Sequence, residues 1–429
     1  MASPSAKILR ARYVFPVTGA VIDGGVLTIR DRRIEAVERS ASTGSAEDLG
    51  NVAILPGLVN AHTHLEFSAL AAPLGEPAMG LPQWIERVVT WRRQTAATAT
   101  DPISHTTAVR QGLADSLSYG VTALGEICTV DWDQQPFPEH AVACGLFREQ
   151  IGLTADRCQA SLQTAENWLS DFDRRCPTPA ADSPTGQRCP GLSPHAPYTV
   201  GFRLLEPLCQ LARSAGVPIA MHLAESPQEL EFLATGGGPF AEMLDRLGAS
   251  DPSADGTALR PYDYLLRLAE ADRALVIHGN YLDERELDYL ALHRNRMSLV
   301  YCPRTHVFFD HDRYPWEAAL ARQIPLALGT DSCASNPDLD LFAEMRWIAS
   351  QATGPAPAQV LAMGTHNGAQ ALGLDSQMGA LEPGKLANLT VVRLPERVSA
   401  DPLELLFDPQ SQVIRTYVQG ALRHPERES

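Results

Sequence analysis

NVAILPGLVNAHTHLEFSAL, residues Asn51–Leu70, is the stretch on which the fold turns. An apolar run from Val52 to Val59 leads into the triplet His62-Thr63-His64. In an extended chain residues i and i+2 share a face, so the two imidazoles project together and Thr63 points away. Two imidazoles at the end of a buried strand are awkward as packing and natural as metal ligands. Pro56-Gly57 puts a bend just upstream. An HxH triplet by itself is a weak signal, and it becomes a site only if the rest of the chain supplies partners.

Upstream of this stretch, residues 8–54 read as a small β unit. Ile8–Phe15, Ala20–Ile29 and Arg33–Val37 are strand-like, and Asp23-Gly24-Gly25 is a turn signal. Downstream, apolar runs that end in polar residues alternate with helical stretches. After Val52–Val59 these runs are Val121–Ile127, Ala141–Ile151, a run reaching Ser193-Pro194-His195, Pro218–Ser226, Ala274–Asn280, Met297–His306 and Ile324–Ser332. Helical spacing covers Leu81–Arg93, Thr106–Tyr119, Ala155–Phe172, Arg203–Ala215, Gln228–Leu247, Leu339–Gln351 and Pro357–Leu372. Cys176–Pro190 and Ala249–Pro261 read as loops. Eight strand-like runs alternating with helices predict an α/β fold, a (β/α)8 barrel of the TIM type. The tail, Gly379–Val418, returns to strands. Its simplest pairing is with the N-terminal strands. That gives a small β-sandwich domain from residues 1–55 and 376–429, around a barrel of residues 56–375.

Bulk composition narrows the function. The chain has 429 residues, 45% of them hydrophobic and 20% charged, which suits a large globular core. A net charge of −16 argues against nucleic acid as a partner, because phosphate binding needs a basic face. No apolar run approaches the ~20 residues needed to span a bilayer. The start, MASPSAKILRARYVF, lacks the apolar centre of a signal peptide. The eight cysteines form no CxxC pair and read as free thiols of a reducing cytoplasm. The expectation is a cytoplasmic protein acting on a small molecule, with no membrane partner; a homo-oligomer stays open.

In a barrel of this type the chemistry sits at the C-terminal ends of the strands. His62 and His64, His195, His222, His278 and Asp331 fall on runs one, four, five, six and eight, so five of the twelve histidines land there. Three histidines and a carboxylate suit zinc, with iron as the alternative. His222 is followed three residues later by Glu225, and a strand ending near His222 would turn that carboxylate towards a substrate. Asp331, in Gly-Thr-Asp-Ser, is either a helix N-cap or a carboxylate that touches a metal and accepts a proton from its water. His278 is either a ligand or a hydrogen-bonding partner of the bound hydroxide. His195, between two prolines, reads as pocket lining. Trp84 and Glu86 on the helix after run one, Arg148 and Glu149 on run three, and His306 on run seven are further substrate-binding candidates. HExxH, Walker A, GxSxG and HxE…PCxxC signatures are absent, and Gly236-Gly237-Gly238 fits no dinucleotide fingerprint.

Taken together, PGLVNAHTHLE, MHLAES, LGTDS and GALEPGKLANLTVV resemble the signatures of the amidohydrolase superfamily over nearly the whole chain. SPHAPYT and HLAE are similar to its branch of adenosine, S-adenosylhomocysteine, methylthioadenosine and aminodeoxyfutalosine deaminases. That resemblance implies His62, His64, His222 and Asp331 as ligands of one divalent ion. It implies Glu225 as proton shuttle and His278 as hydroxide partner. It implies hydrolytic deamination of an aminated heterocycle, most simply an adenosine-derived nucleoside. The competing reactions on the same site are cyclic-amide opening, as in imidazolonepropionase, and triazine dechlorination or guanine deamination. Lysines occur only at positions 7 and 385, in the β segments, so a two-metal site bridged by a carboxylated lysine is ruled out; Glu126 or Glu149 could substitute as a bridge in principle, and the reading is a mononuclear site. Two departures bear on the substrate: Cys302-Pro303-Arg304-Thr305-His306 stands where Cys-Pro-x-Ser-Asn is usual, and His278-Gly279-Asn280 where His-Cys is commoner. Asn388 also replaces the aspartate usual in the tail motif.

Overall fold

A computed structural model describes residues 6–39, 46–98, 103–129, 142–176, 187–251 and 258–424. Eight parallel strands run in sequence order around a barrel: β1 (Leu58–Thr63), β2 (Val121–Cys128), β3 (Ala143–Gln150), β4 (Arg188–Pro194), β5 (Ile219–Leu223), β6 (Ala274–His278), β7 (Met297–Tyr301) and β8 (Leu326–Leu328). The ring closes at the functional end. Thr63 bridges Asp331, and the Asp331 N–H donates to the His62 carbonyl at 3.1 Å. Inside, Val59, Ala61, Ala123, Phe147, Ala220, Ile277, Val300 and Ala327 fill the barrel, and helix His366–Leu372 plugs its lower end. A packed interior leaves the strand ends as the place for chemistry.

The apolar run Val52–Val59 is two strands, not one. Val52–Pro56 belongs to a six-stranded sheet, where it pairs antiparallel with the tail strand Leu389–Arg393 and parallel with Tyr13–Val14. The chain then passes into β1 at Gly57. A Cβ there would lie 2.1 Å from Thr122 Oγ1, so only glycine fits the crossing. The Gly57 N–H donates to the carbonyl of Asn388, whose side-chain oxygen accepts the Gln419 N–H. A second, four-stranded sheet comes from the N-terminal segment alone, and Leu9, Leu27 and Ile34 from it share a core with Ile54, Leu389, Val391 and Tyr417. The tail thus pairs with the N-terminal strands as the sequence predicts, and the two sheets face one another as a sandwich.

Elsewhere the periodicity holds with local corrections. Gln228–Leu247 is two helices, Pro227–Thr235 and Pro239–Leu247, divided by Gly236-Gly237-Gly238; Gly236 and Gly238 have φ of 69° and 79°. Pro357–Leu372 is likewise split, into Pro357–Met363 and His366–Leu372. The expected loop Cys176–Pro190 contains the start of β4 at Arg188, and its residues 177–186 lie outside the described ones. Run seven stops at Tyr301, and Pro303–Phe308 is a short helix. The cysteines are free thiols. Among the described residues no helix is long and apolar enough to cross a membrane.

Candidate active site

Three local devices bring the histidines together. Val59 and Ala61 face the barrel interior, so simple alternation would turn His62 and His64 out. The register of β1 against β2 shifts between Asn60 and Thr63, and this irregularity re-aims the pair inward. Glu126 on β2 then fixes the turn, with both carboxylate oxygens 3.0 Å from the Leu65 N–H. At the end of β6, Leu275 and Ile277 face inward. His278 escapes alternation by adopting a left-handed backbone, φ 67°. Asp331, φ 57°, does the same after β8. Left-handed backbone at non-glycine residues costs about 1–3 kcal/mol each, which the surrounding packing must hold in place.

The result is a buried cluster. Ligand atoms of His62, His222 and His278, and those of His62, His64 and Asp331, each lie within 4.8 Å of one another; these are the groups among the described residues that could hold a metal ion. Asp331 Oδ1 is 3.6 Å from His62 Nε2 and 3.7 Å from His64 Nε2. His222 Nδ1 donates to the His195 carbonyl at 2.9 Å, which leaves Nε2 as a bare lone pair aimed into the cluster. Neither ring nitrogen of His62, nor Nδ1 of His64, has a hydrogen-bond partner within the protein. Buried polar atoms are rarely left so, and a divalent ion would satisfy them. Burial, reinforced by His62 and His195, pushes His222 down to about 3. Burial also holds His64 and His278 well below the usual imidazole range. These rings are therefore neutral and able to ligate. Burial alone would raise the Asp331 carboxyl, but the imidazoles of His62, His64 and His278 outweigh it and keep the group an anion. The donor set fits one divalent ion.

Glu225 lies beyond the end of β5, with Oε1 3.5 Å from His278 Nε2. Burial, then the charges of Asp331 and Glu229, raise its carboxyl well above the usual range. Its backbone is held from both sides. The N–H groups of Ala224 and Glu225 donate to the two oxygens of Glu229 at 2.7 and 3.1 Å, and the Glu225 carbonyl accepts from Asn280 Nδ2 at 2.9 Å.

A cavity of about 250 Å³ opens onto this cluster, lined by Trp84, Glu149, His195, Tyr198, Arg92 and Met243 among others. Trp84 is fixed by a 3.1 Å hydrogen bond from Nε1 to the Ala334 carbonyl, and His195 by a 2.7 Å bond between Nδ1 and Thr199 Oγ1. Three expected pocket residues lie elsewhere. Glu86 is drawn to the surface by an ion pair with Arg246 at 2.7 Å. Arg148 turns its guanidinium to the carbonyls of Cys128 and Thr129 at the end of the neighbouring strand. His306, carried on a helix instead of a strand end, is buried between Asn280 Oδ1 (3.2 Å) and the Asp312 carbonyl (2.8 Å). Glu126, engaged by Leu65, does not join the metal cluster. Sequence reading missed Glu229, which only its spacing four residues after Glu225 could have flagged; Asn280 stands out in the sequence as part of a departure, and the structure gives it a hydrogen bond to the Glu225 carbonyl.

The sequence profile of the amidohydrolase family matches residues 53–423. A 5-methylthioadenosine/S-adenosylhomocysteine deaminase of Moorella thermoacetica is 29% identical, covering 88% of this chain and 83% of the relative. The aminodeoxyfutalosine deaminase of Deinococcus radiodurans is also 29% identical, over 83% of this chain and 82% of its own. In structure, an adenosine deaminase from Xanthomonas campestris with bound zinc superposes with a TM-score of 0.76 at 25% identity, covering 99% of this chain and 94% of that one. With a closed β/α barrel, a His/Asp cluster at its strand ends and these relatives, the chain belongs to the amidohydrolase family and is an enzyme of its deaminase type, acting on carbon–nitrogen bonds.

Proposed function

We propose that this enzyme hydrolytically deaminates an adenosine-derived nucleoside and releases ammonia. The observation that carries the reading is the buried Glu225 carboxyl, raised well above its usual range and 3.5 Å from His278, beside an anionic Asp331. One acid and one base with their pKa values driven apart are what proton transfer to and from a heterocycle needs. The relatives named for methylthioadenosine, S-adenosylhomocysteine and aminodeoxyfutalosine support the nucleoside.

His62, His64, His222 and Asp331 would hold the ion, zinc by analogy with the zinc-bound adenosine deaminase. When bound, such an ion supplies a water acidified from ~16 towards ~7. Asp331 accepts a proton at its carboxylate, and the neutral His278 orients the attacking oxygen. Glu225 donates its proton to a ring nitrogen, which makes the adjacent ring carbon electrophilic. Once the oxygen has added to that carbon, Glu225 takes the remaining hydroxyl proton and passes it to the amino group, which leaves as ammonia as the carbon–nitrogen bond breaks and the carbonyl forms; the proton held on Asp331 then restores Glu225. Trp84, His195 and Glu149 bind the substrate from the cavity wall.

The test is Glu225→Gln in the zinc-loaded enzyme, assayed for ammonia release from adenosine, methylthioadenosine, S-adenosylhomocysteine, guanine, a chlorotriazine and a cyclic amide. The wild type is expected to release ammonia from an adenosine-type nucleoside. The variant is expected to lose roughly 100- to 10,000-fold in rate with unchanged zinc content. Near wild-type turnover by the variant, or ring opening without ammonia by the wild type, refutes the proposal.

A further inference from the structure

The departure at Cys302-Pro303-Arg304-Thr305-His306 does not face the cavity. These residues start the helix Pro303–Phe308, which packs behind the strand ends that carry Asp331 and Glu225. Three consecutive side chains of that helix reach three different segments.

Thr305 and Ser335 are buried, with their hydroxyl oxygens 3.0 Å apart. Ser335 donates to Asp331 Oδ2 at 3.2 Å. Its one proton is used there, so Thr305 must be the donor to Ser335. The thread has a single direction, Thr305 to Ser335 to Asp331, and it leaves Asp331 Oδ1 aimed at His62 and His64. His306 is held by the Asp312 carbonyl, to which its Nε2–H donates at 2.8 Å, and so only packs its other ring nitrogen against Asn280, whose Nδ2 donates to the Glu225 carbonyl. Arg304 anchors the helix. Its Nε donates to Glu344 Oε1 at 2.6 Å, its backbone N–H to Glu344 Oε2 at 2.8 Å, and its Nη2 to Asp338 Oδ1 at 2.6 Å. Glu344 also accepts from Asn336, whose Nδ2 donates to the carbonyl of Thr330, the residue before Asp331. Glu344 is fully buried, and a buried charge is held only by such a complete set of partners.

We propose that Thr305 is a positioning residue that clamps the Asp331 carboxylate through Ser335, on a helix that Arg304 anchors. The clamp rests on the deaminase reading only for the role it gives that carboxylate. The wiring gives a triplet that does not line the cavity a part in the chemistry: it orients the group that accepts the proton. Groups behind a metal ligand commonly govern affinity and rate as strongly as groups beside the substrate.

Thr305→Val removes the hydroxyl with little change of shape, and Thr305→Ser keeps it. Zinc retention of the holoprotein against a chelator is measured without substrate, and kcat and KM on the nucleoside that releases ammonia. Thr305→Val is expected to weaken zinc affinity and lower kcat by roughly 10- to 100-fold with KM within about twofold, and Thr305→Ser to restore both. Ser335→Ala cuts the same thread and is expected to match Thr305→Val. The double variant is expected to be no worse than either single one. Circular dichroism checks that each variant folds, and Ser335→Ala carries the test if Thr305→Val does not. Wild-type zinc retention and kcat in a folded variant, or fully additive losses, overturn the clamp. If the deaminase reading fails instead, no variant releases ammonia while the zinc-retention series persists.

Discussion

Replacing Glu229 by Gln exchanges one oxygen for an amide nitrogen at the point where the β5 turn is held. In the wild type, burial pushes this carboxyl from an ordinary 4.5 up to about 7, against two backbone N–H groups that pull it down. The sign follows from proton binding. Between pH 4.5 and about 7 the folded state keeps a proton that the unfolded chain has released. This contribution to stability is fully present below the unfolded pKa and is lost as pH rises through the folded one. At 1.36 kcal/mol per pH unit, the loss is on the order of 3 kcal/mol. Gln does not titrate, so the variant lacks this slope. It also sets an NH₂ against one backbone N–H, at a cost of about 1–3 kcal/mol that is independent of pH. The stability difference, wild type minus Glu229→Gln, should therefore fall by roughly 3 kcal/mol from about pH 5 to about pH 8. Urea unfolding of both zinc-loaded proteins across that range measures it. A difference that stays constant to within about 1 kcal/mol would refute the argument that burial governs this carboxyl.

Two further outcomes follow from the same geometry. Gly57→Ala forces a methyl group onto Thr122 Oγ1 and should destabilise by about 1–3 kcal/mol or more, with Thr122→Ala restoring part of the loss; an unchanged denaturation midpoint would show the crossing to be slack. Stripping zinc should lower the melting temperature reversibly, because an ion at about 100 times its Kd contributes roughly 2.7 kcal/mol; equal melting temperatures with and without stoichiometric zinc would show that the cluster does not hold it.

The eight-strand rhythm and the His/Asp set were legible because each depends on a short-range pattern: an apolar run ending in a polar residue. What failed to read depends on long-range partners. Val52–Val59 reads as one apolar run with a bend at Pro56-Gly57, and only the distant partners, Leu389–Arg393 on one side and β2 on the other, show it to be two strands in two sheets. His306 reads as a strand-end residue because Met297–Tyr301 is an apolar run that leads straight to it, yet Pro303 sits at the first turn of a helix and ends the strand before His306. Glu86 was placed by helical spacing, which fixes a face but not the neighbour on it, and that neighbour is Arg246, 160 residues away. Glu229 is invisible because a buried glutamate that accepts backbone N–H groups has the same letter as a solvated one.

The antiparallel pairing of Val52–Pro56 with Leu389–Arg393 has a consequence for the order of events during synthesis. The segment that delivers His62 and His64 emerges early from the ribosome with Tyr13–Val14 to pair with, yet its other sheet partner comes more than 300 residues later, and Asp331 late as well. Non-local pairing of this kind is slow and leaves strand edges open while the chain waits. On this topology the nascent chain should stack the middle strands of the barrel first and complete the metal site last, when the tail arrives to pair with Val52–Pro56. Zinc acquisition should therefore report completion of the whole chain, and an arrested nascent chain stopped before residue 389 should not retain the ion.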